Sequence, residues 1–187
     1  MEKFELDILG CGSATPTVQH NPSSQVLNIR EKLFMIDCGE GTQLQFRRSH
    51  LRFSRLNRIF ISHLHGDHCF GLIGLISTLG LLGRTGDLYI HSTPGLEEIL
   101  RSEIDFFCKD SPFSVKIESF DPKISEVIYE DRSVIVKIIP LHHRIPCAGF
   151  LFQEKQKEAH LIPDKIKFYN IPVKELSKIK QGRSEER

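Results

Sequence analysis

The sequence lacks several features, and each absence removes a class of function. No apolar run approaches the roughly 20 residues that a membrane-spanning helix needs. The opening segment, Met1 to Gly10, has no apolar stretch behind a basic start, so no signal peptide is expected. There is no excess of charge of either sign: 25 Lys and Arg stand against 24 Asp and Glu, a net of +1. That excludes a protein that coats nucleic acid by bulk charge and leaves room only for a local basic patch. No Cys-x-x-Cys pair occurs among Cys11, Cys38, Cys69, Cys108 and Cys147. An odd and scattered set of thiols argues against a disulfide framework or a cysteine zinc finger, and for reduced thiols in the cytoplasm. No repeat at solenoid periods is present. What remains is an ordinary globular composition, 40% hydrophobic and 26% charged over 187 residues.

Hydrophobic periodicity organises the chain. Phe4, Leu6 and Ile8 alternate with Glu5 and Asp7, the pattern of a strand with one face on a core. Gln25–Arg30 and Leu33–Ile36 predict a hairpin turning at Glu31-Lys32. The Asp37-Cys38-Gly39-Glu40-Gly41 segment breaks the strand, and a helix is expected from Thr42. Further strands are expected over 58–62, 88–91, 113–117, 134–139 and 149–152, with helices over 71–82 and 94–107. Strands alternating with helices, then a strand-rich stretch, give an α/β layered sandwich with a mixed sheet.

Of nine histidines, three lie within residues 63–68, beside one aspartate: His63-Leu64-His65-Gly66-Asp67-His68. Imidazole and carboxylate are good ligands for borderline divalent ions such as Zn²⁺. Two histidines two apart leave a strand end on the same side, so both can reach one ion. The turn at Gly66 lets Asp67 and His68 point to a second position. Two ions about 3.5–4 Å apart can generate hydroxide and stabilise an in-line phosphoryl displacement. His142 and His143 follow the strand over 134–140, and one of them is expected to feed a ligand into the same place. His20, His50, His91 and His160 stand alone and read as structural or solvent-facing.

Five segments carry a family resemblance. They are Leu9 to Thr17 (Leu-Gly-Cys-Gly-Ser-Ala-Thr-Pro-Thr), Asn21 to Gln25 (Asn-Pro-Ser-Ser-Gln), and Ile36 to Gln43 (Ile-Asp-Cys-Gly-Glu-Gly-Thr-Gln). The others are Ser62 to His68 and Pro140-Leu141-His142-His143-Arg144. Together they resemble ribonuclease Z, the endonuclease that trims the 3′ trailer from precursor tRNA, within the metallo-β-lactamase fold. The resemblance implies an αβ/βα layered sandwich, mainly its N-terminal half, over residues 1–153, and a protruding tRNA-gripping arm, or its start, over 154–187. It implies that His63 and His65 bind one zinc, and Asp67 and His68 the other. The family's next histidine lies six residues before a Gly-aromatic pair, here Gly149-Phe150, which selects His143 for the first zinc. Asp67 would be the general base or orient the attacking hydroxide. Asp37 would either orient a ligand imidazole or cap its own loop. A homodimer is also implied.

The family continues past the arm into a half that supplies further ligands. The expectation is therefore an incomplete domain, with three ligands for the first zinc and two for the second. Such a chain would hold one zinc rather than the family's two, and would be inactive alone. Fifteen of the 34 residues in 154–187 are charged, suiting either an amphipathic surface extension or an arm that packs on a partner. Arg47 to Arg58 carries five arginines and no acid, either a solvated face or a patch for tRNA phosphates. Competing readings are another hydrolase of the same fold, acting on a small ester, thioester or lactam, and a zinc- or tRNA-binding fragment that does not cleave.

Overall fold

The computed structural model describes residues 4–156 and 161–180. Two compact units divide between Glu154 and Lys155.

The first unit is built on a six-stranded sheet in sequence order, β1 (Phe4–Gly10), β2 (Ser24–Ile29), β3 (Lys32–Ile36), β4 (Leu56–Phe60), β5 (Leu88–Ser92) and β6 (Val115–Ser119). The first three strands pair antiparallel and the last four run parallel. Ile29 pairs with Lys32, so the β2–β3 turn is Arg30-Glu31, one residue earlier than expected. Both residues adopt positive φ, 51° and 68°, the mirror-image turn whose twist suits a hairpin. Neither is Asn or Gly, which is why the sequence marks this turn poorly. The Asn28 side-chain oxygen accepts the Glu31 N–H at 3.0 Å and supports it.

Alternation along these strands sends side chains to two layers. Val26, Leu33, Met35, Ile59 and Ile90 pack with Phe46 of helix α1 (Thr42–Arg48). They also meet Leu72, Leu75, Ile76 and Leu79 of α3 (Leu72–Leu81) and Leu96 and Leu100 of α4 (Leu96–Phe107). A one-turn helix, α2 (Gly66–Cys69), precedes α3. Leu27, Ile29, Phe34 and Phe60 point the other way. They pack on Val134 and Val136 of a three-stranded antiparallel sheet, β7 (Val127–Glu130), β8 (Val134–Pro140) and β9 (Ala148–Glu154). Each fully buried Leu, Ile or Phe contributes about 1.5–3 kcal/mol. Strand β7 was not anticipated, since Val127-Ile128-Tyr129-Glu130 does not alternate cleanly.

One expectation is corrected. The apolar face of β1 does not lie on a core: Phe4, Leu6 and Ile8 are 52%, 57% and 56% exposed. The alternation correctly marks a strand, but the second sheet packs over β2, β3 and β4, and nothing among the described residues covers that face of β1.

The second unit contains two short helices, α5 (Pro163–Phe168), with Pro163 at its first turn, and α6 (Val173–Lys180). Phe168, Tyr169 and Val173 are exposed. Residues 157–160 and 181–187 of the expected arm lie outside the described residues. No described helix is long and apolar enough to cross a membrane.

Candidate metal centre

The parallel strands deliver the chemistry at their carboxyl ends, the usual place for a site in an α/β sheet. Asp37 follows β3 and the 61–65 segment follows β4, while His143 comes from the antiparallel sheet, after β8. Two backbone bonds fix these exits: Asp37 N–H to the Phe60 carbonyl at 2.9 Å, and Ile61 N–H to the His91 carbonyl at 2.8 Å. The Asp37–Gly39 loop then crosses the 67–71 segment at backbone contact. Cys38 N–H donates to the His68 carbonyl at 2.8 Å, and Gly71 N–H to the Cys38 carbonyl at 2.9 Å. A Cβ on Gly71 would meet the Gly39 carbonyl oxygen at 2.0 Å, and one on Gly39 the Asp67 carbonyl oxygen at 2.5 Å. Only glycine permits this crossing.

His63, His65 and His143 converge. His63 Nε2 lies 3.0 Å from His65 Nδ1, His143 Nε2 lies 3.4 Å from the same atom, and all three donor atoms fall within 4.8 Å of one another. Zinc–nitrogen bonds of about 2.0–2.1 Å in a tetrahedron hold their nitrogens roughly 3.3 Å apart, so the spacing fits one such ion. His63 is buried, and burial, then the neighbouring His68, lower its pKa to about 4. Its imidazole is therefore neutral near neutral pH, the form a metal requires.

Asp67 and His68 stand beside this trio, with His68 Nε2 3.6 Å from Asp67 Oδ2 and the His63 and His68 rings 4.0 Å apart. Burial alone would lift the Asp67 carboxyl. The Ala14 N–H, 2.7 Å from Oδ2, and the adjacent His68 outweigh it and hold the pKa below its usual value. Ala14 adopts φ 56° to make this contact. Burial acts oppositely on His68, but its Nδ1–H bond to Asp37 Oδ2 at 2.6 Å and the charge of Asp37 leave its pKa raised.

Asp37 is buried, and its carboxylate collects donors from two segments. Oδ1 accepts the Ser62 N–H at 2.8 Å, and Oδ2 accepts from His68, from the Ser62 hydroxyl at 3.0 Å and from the Ser23 hydroxyl at 3.3 Å. Of its two expected roles, the hydrogen bond to His68 corresponds to the one that orients an imidazole.

Of the vicinal pair, His143 faces His65, while exposed His142 makes no such contact. His160 lies outside the described residues. Sequence reasoning missed two participants: the Ala14 N–H, since backbone donors leave no composition signal, and Ser62, whose place directly before His63 was the available clue.

The five-arginine patch is smaller than its spacing suggests. Arg58 turns inward, its guanidinium 4.3 Å from the Tyr89 ring centre and 3.9 Å from that of Tyr129. It donates to His91 Nε2 at 2.9 Å. Burial first, and Arg58 second, lower the His91 pKa to about 3. The 3.2 Å contact of His91 Nδ1 with Glu118 is accordingly a hydrogen bond from neutral imidazole rather than an ion pair. Arg55 pairs with Glu31. Arg47, Arg48 and Arg52 remain exposed.

Comparison with known proteins fits this picture. The model of the family described as Anti-Pycsar protein Apyc1 matches residues 4–103. The chain is 65% identical over 182 residues to the ribonuclease Z of Bacteroides thetaiotaomicron, covering 97% of this chain and 58% of that protein. It is 54% identical to the ribonuclease Z of Porphyromonas gingivalis, over 97% and 60%. The chain thus spans 58–60% of the length of these relatives. The crystal structure of human tRNase Z, short form, superposes with a TM-score of 0.72 at 30% identity, covering 80% of this chain and 64% of that one. A metallo-β-lactamase fold protein from Bacillus subtilis superposes at 0.59 and 16% identity, over 79% and 57%, a likeness of fold alone. The fold is the metallo-β-lactamase fold, and the expected resemblance to ribonuclease Z is borne out.

Proposed function

This chain belongs to the family described as Anti-Pycsar protein Apyc1, and on that premise we propose that the protein is a zinc-dependent endoribonuclease of the ribonuclease Z kind, removing the 3′ trailer of precursor tRNA. The observation that carries the reading is the convergence of His63, His65 and His143 within 4.8 Å, beside Asp67 and His68. Its substrate is taken from the high identity to ribonucleases Z.

In this reading His63, His65 and His143 hold one zinc, and Asp67 and His68 belong to a second position. Bound there, the metal supplies a Lewis acid that lowers the pKa of water and offsets charge on a phosphoryl oxygen. The residues do the rest. Asp67, kept ionised by the Ala14 N–H, orients the attacking water or takes its proton. His68 is steered by Asp37, so its Nε2 faces Asp67. Arg47, Arg48 and Arg52 offer exposed charge to RNA phosphates, which would read backbone and shape more than sequence. A homodimer follows from the resemblance, and five free cysteines suit the cytoplasm.

A second reading has its own support: among the described residues the second position gathers only Asp67 and His68. Under it, the 187-residue chain binds one zinc without cleaving. A 3′-extended precursor tRNA, incubated with the zinc-loaded chain, separates the two. Cleavage near the mature 3′ end that disappears in His63→Ala supports the nuclease. Zinc binding without cleavage favours the second reading, and a chain that binds no zinc overturns both.

A further inference from the structure

We propose that Ser62 is a positioning residue: its hydroxyl relays the charge of Asp37 to His63 and fixes the ring tautomer that presents Nε2 to the three-histidine pocket. The inference rests on the reading of that pocket as a zinc site and assigns a role to a residue outside the ligand set.

The argument is one of donors and acceptors. Ser62 Oγ lies 3.0 Å from Asp37 Oδ2 and 2.9 Å from His63 Nδ1. An ionised carboxylate can only accept, so the single hydroxyl proton of Ser62 goes to Asp37. The Ser62 oxygen is left with lone pairs alone, and the contact with His63 Nδ1 then requires a proton on Nδ1. A neutral imidazole carries one N–H, so Nε2 keeps its lone pair. Nε2 is the atom 3.0 Å from His65 Nδ1, inside the donor cluster. The Ser62 backbone holds the relay in register, because its N–H donates to Asp37 Oδ1 at 2.8 Å and its carbonyl accepts the Ala148 N–H at 3.0 Å.

The same carboxylate oxygen accepts the Nδ1–H of His68 directly, at 2.6 Å. His68 is thereby fixed as the same tautomer, with Nε2 free toward Asp67. One buried carboxylate therefore sets an imidazole at each of the two positions, His68 without an intermediary and His63 through Ser62. Metal-bound histidines commonly donate their second N–H to such a group, and losing that partner typically costs about 10–100-fold in metal affinity. Here the partner of His63 is a hydroxyl that is itself oriented by an anion.

The test uses the full chain, its Ser62→Ala and Ser62→Thr variants, and two readouts. Long-range ¹H–¹⁵N correlation spectra of the metal-free protein at neutral pH report which His63 nitrogen carries the proton. Competition with a chromophoric chelator reports zinc affinity. The expected result is an Nδ1–H tautomer for His63 in the unsubstituted chain, lost or mixed in Ser62→Ala. Zinc affinity should fall about 10–100-fold in Ser62→Ala and recover in Ser62→Thr, which keeps the hydroxyl. A merely structural role would lower stability without moving the tautomer. An Nε2–H tautomer in the unsubstituted chain overturns the inference, even if Ser62→Ala fails to fold. So does a Ser62→Ala chain that folds and binds zinc as tightly as the parent. Absence of zinc binding by a chain with the Nδ1–H tautomer would instead overturn the zinc reading and leave the relay standing.

Discussion

The crossing of the Asp37–Gly39 loop over the 67–71 segment can be tested with a single methyl group. In Gly71→Ala the new Cβ would lie 2.0 Å from the Gly39 carbonyl oxygen and 2.9 Å from that of Cys38, whereas real Cβ atoms essentially never approach within 3.0 Å. The obstructing atoms are backbone, so no side chain can swing away, and the two segments must part by roughly 1 Å, far outside the tolerance of a packed interior. Overpacking of this kind costs about 1–3 kcal/mol, and losing the 2.9 Å bond from Gly71 N–H to Cys38 adds about 1 kcal/mol. With about 2–4 °C lost per kcal/mol in a chain of this size, a fall in Tm of about 10 °C is expected by differential scanning calorimetry. Zinc affinity should fall with it, because Asp67 and His68 ride on the displaced segment. Gly86→Ala is the control: its Cβ meets nothing within 4 Å, so stability should stay within about 0.5 kcal/mol of the parent. A Gly71→Ala chain that melts with the parent and binds zinc equally well would refute the claim that the crossing positions the site.

Three other outcomes follow from particular contacts. Asp131 accepts from Lys32 at 2.5 Å, Tyr129 at 2.8 Å and the Ser133 N–H at 2.7 Å. Burial raises its pKa, but these donors outweigh burial and leave it depressed. Its contribution is therefore present above the unfolded pKa of about 4 and lost as pH falls below it. Asp131→Asn should cost about 2 kcal/mol in urea unfolding near neutral pH, with the gap to the parent closing under acid; a pH-independent gap counts against the reading. His143→Ala should weaken zinc binding by more than about 100-fold, beyond what loss of an orienting partner produces, while His142→Ala leaves it unchanged; equal losses in the two would reject the assignment. Leu6→Thr, on the exposed face of β1, should shift stability by no more than about 0.5 kcal/mol, and a loss above about 1.5 kcal/mol would mean that the face is covered.

How far the sequence could be read depended on whether each signal was local. The metal cluster was legible because four of its five side chains sit within residues 63–68, and the fifth, His143, follows a strand with a clear apolar pattern. The helices α3 and α4 and the strands β4, β5 and β8 were legible for the same reason, since period and length lie within one stretch. The Arg30-Glu31 turn was misplaced by one residue because it takes positive φ without the Asn or Gly that announces it. Strand register and sheet contacts are non-local, and there the sequence misled: Arg58 reads as surface charge until Tyr89, on the neighbouring strand β5, and Tyr129, on β7 of the other sheet, close on it. The Asp37 network failed to announce itself for a related reason. Its donors come from Ser23 on one segment and from Ser62 and His68 on another, and only the pairing of β2, β3 and β4 brings them to the carboxylate. A ligand set can be spelled in six consecutive residues, but the hydrogen bonds that aim it belong to the fold. Substitutions at Ser62 and Gly71, which carry no ligand atom, should therefore disturb the centre by routes that its sequence motif does not foretell.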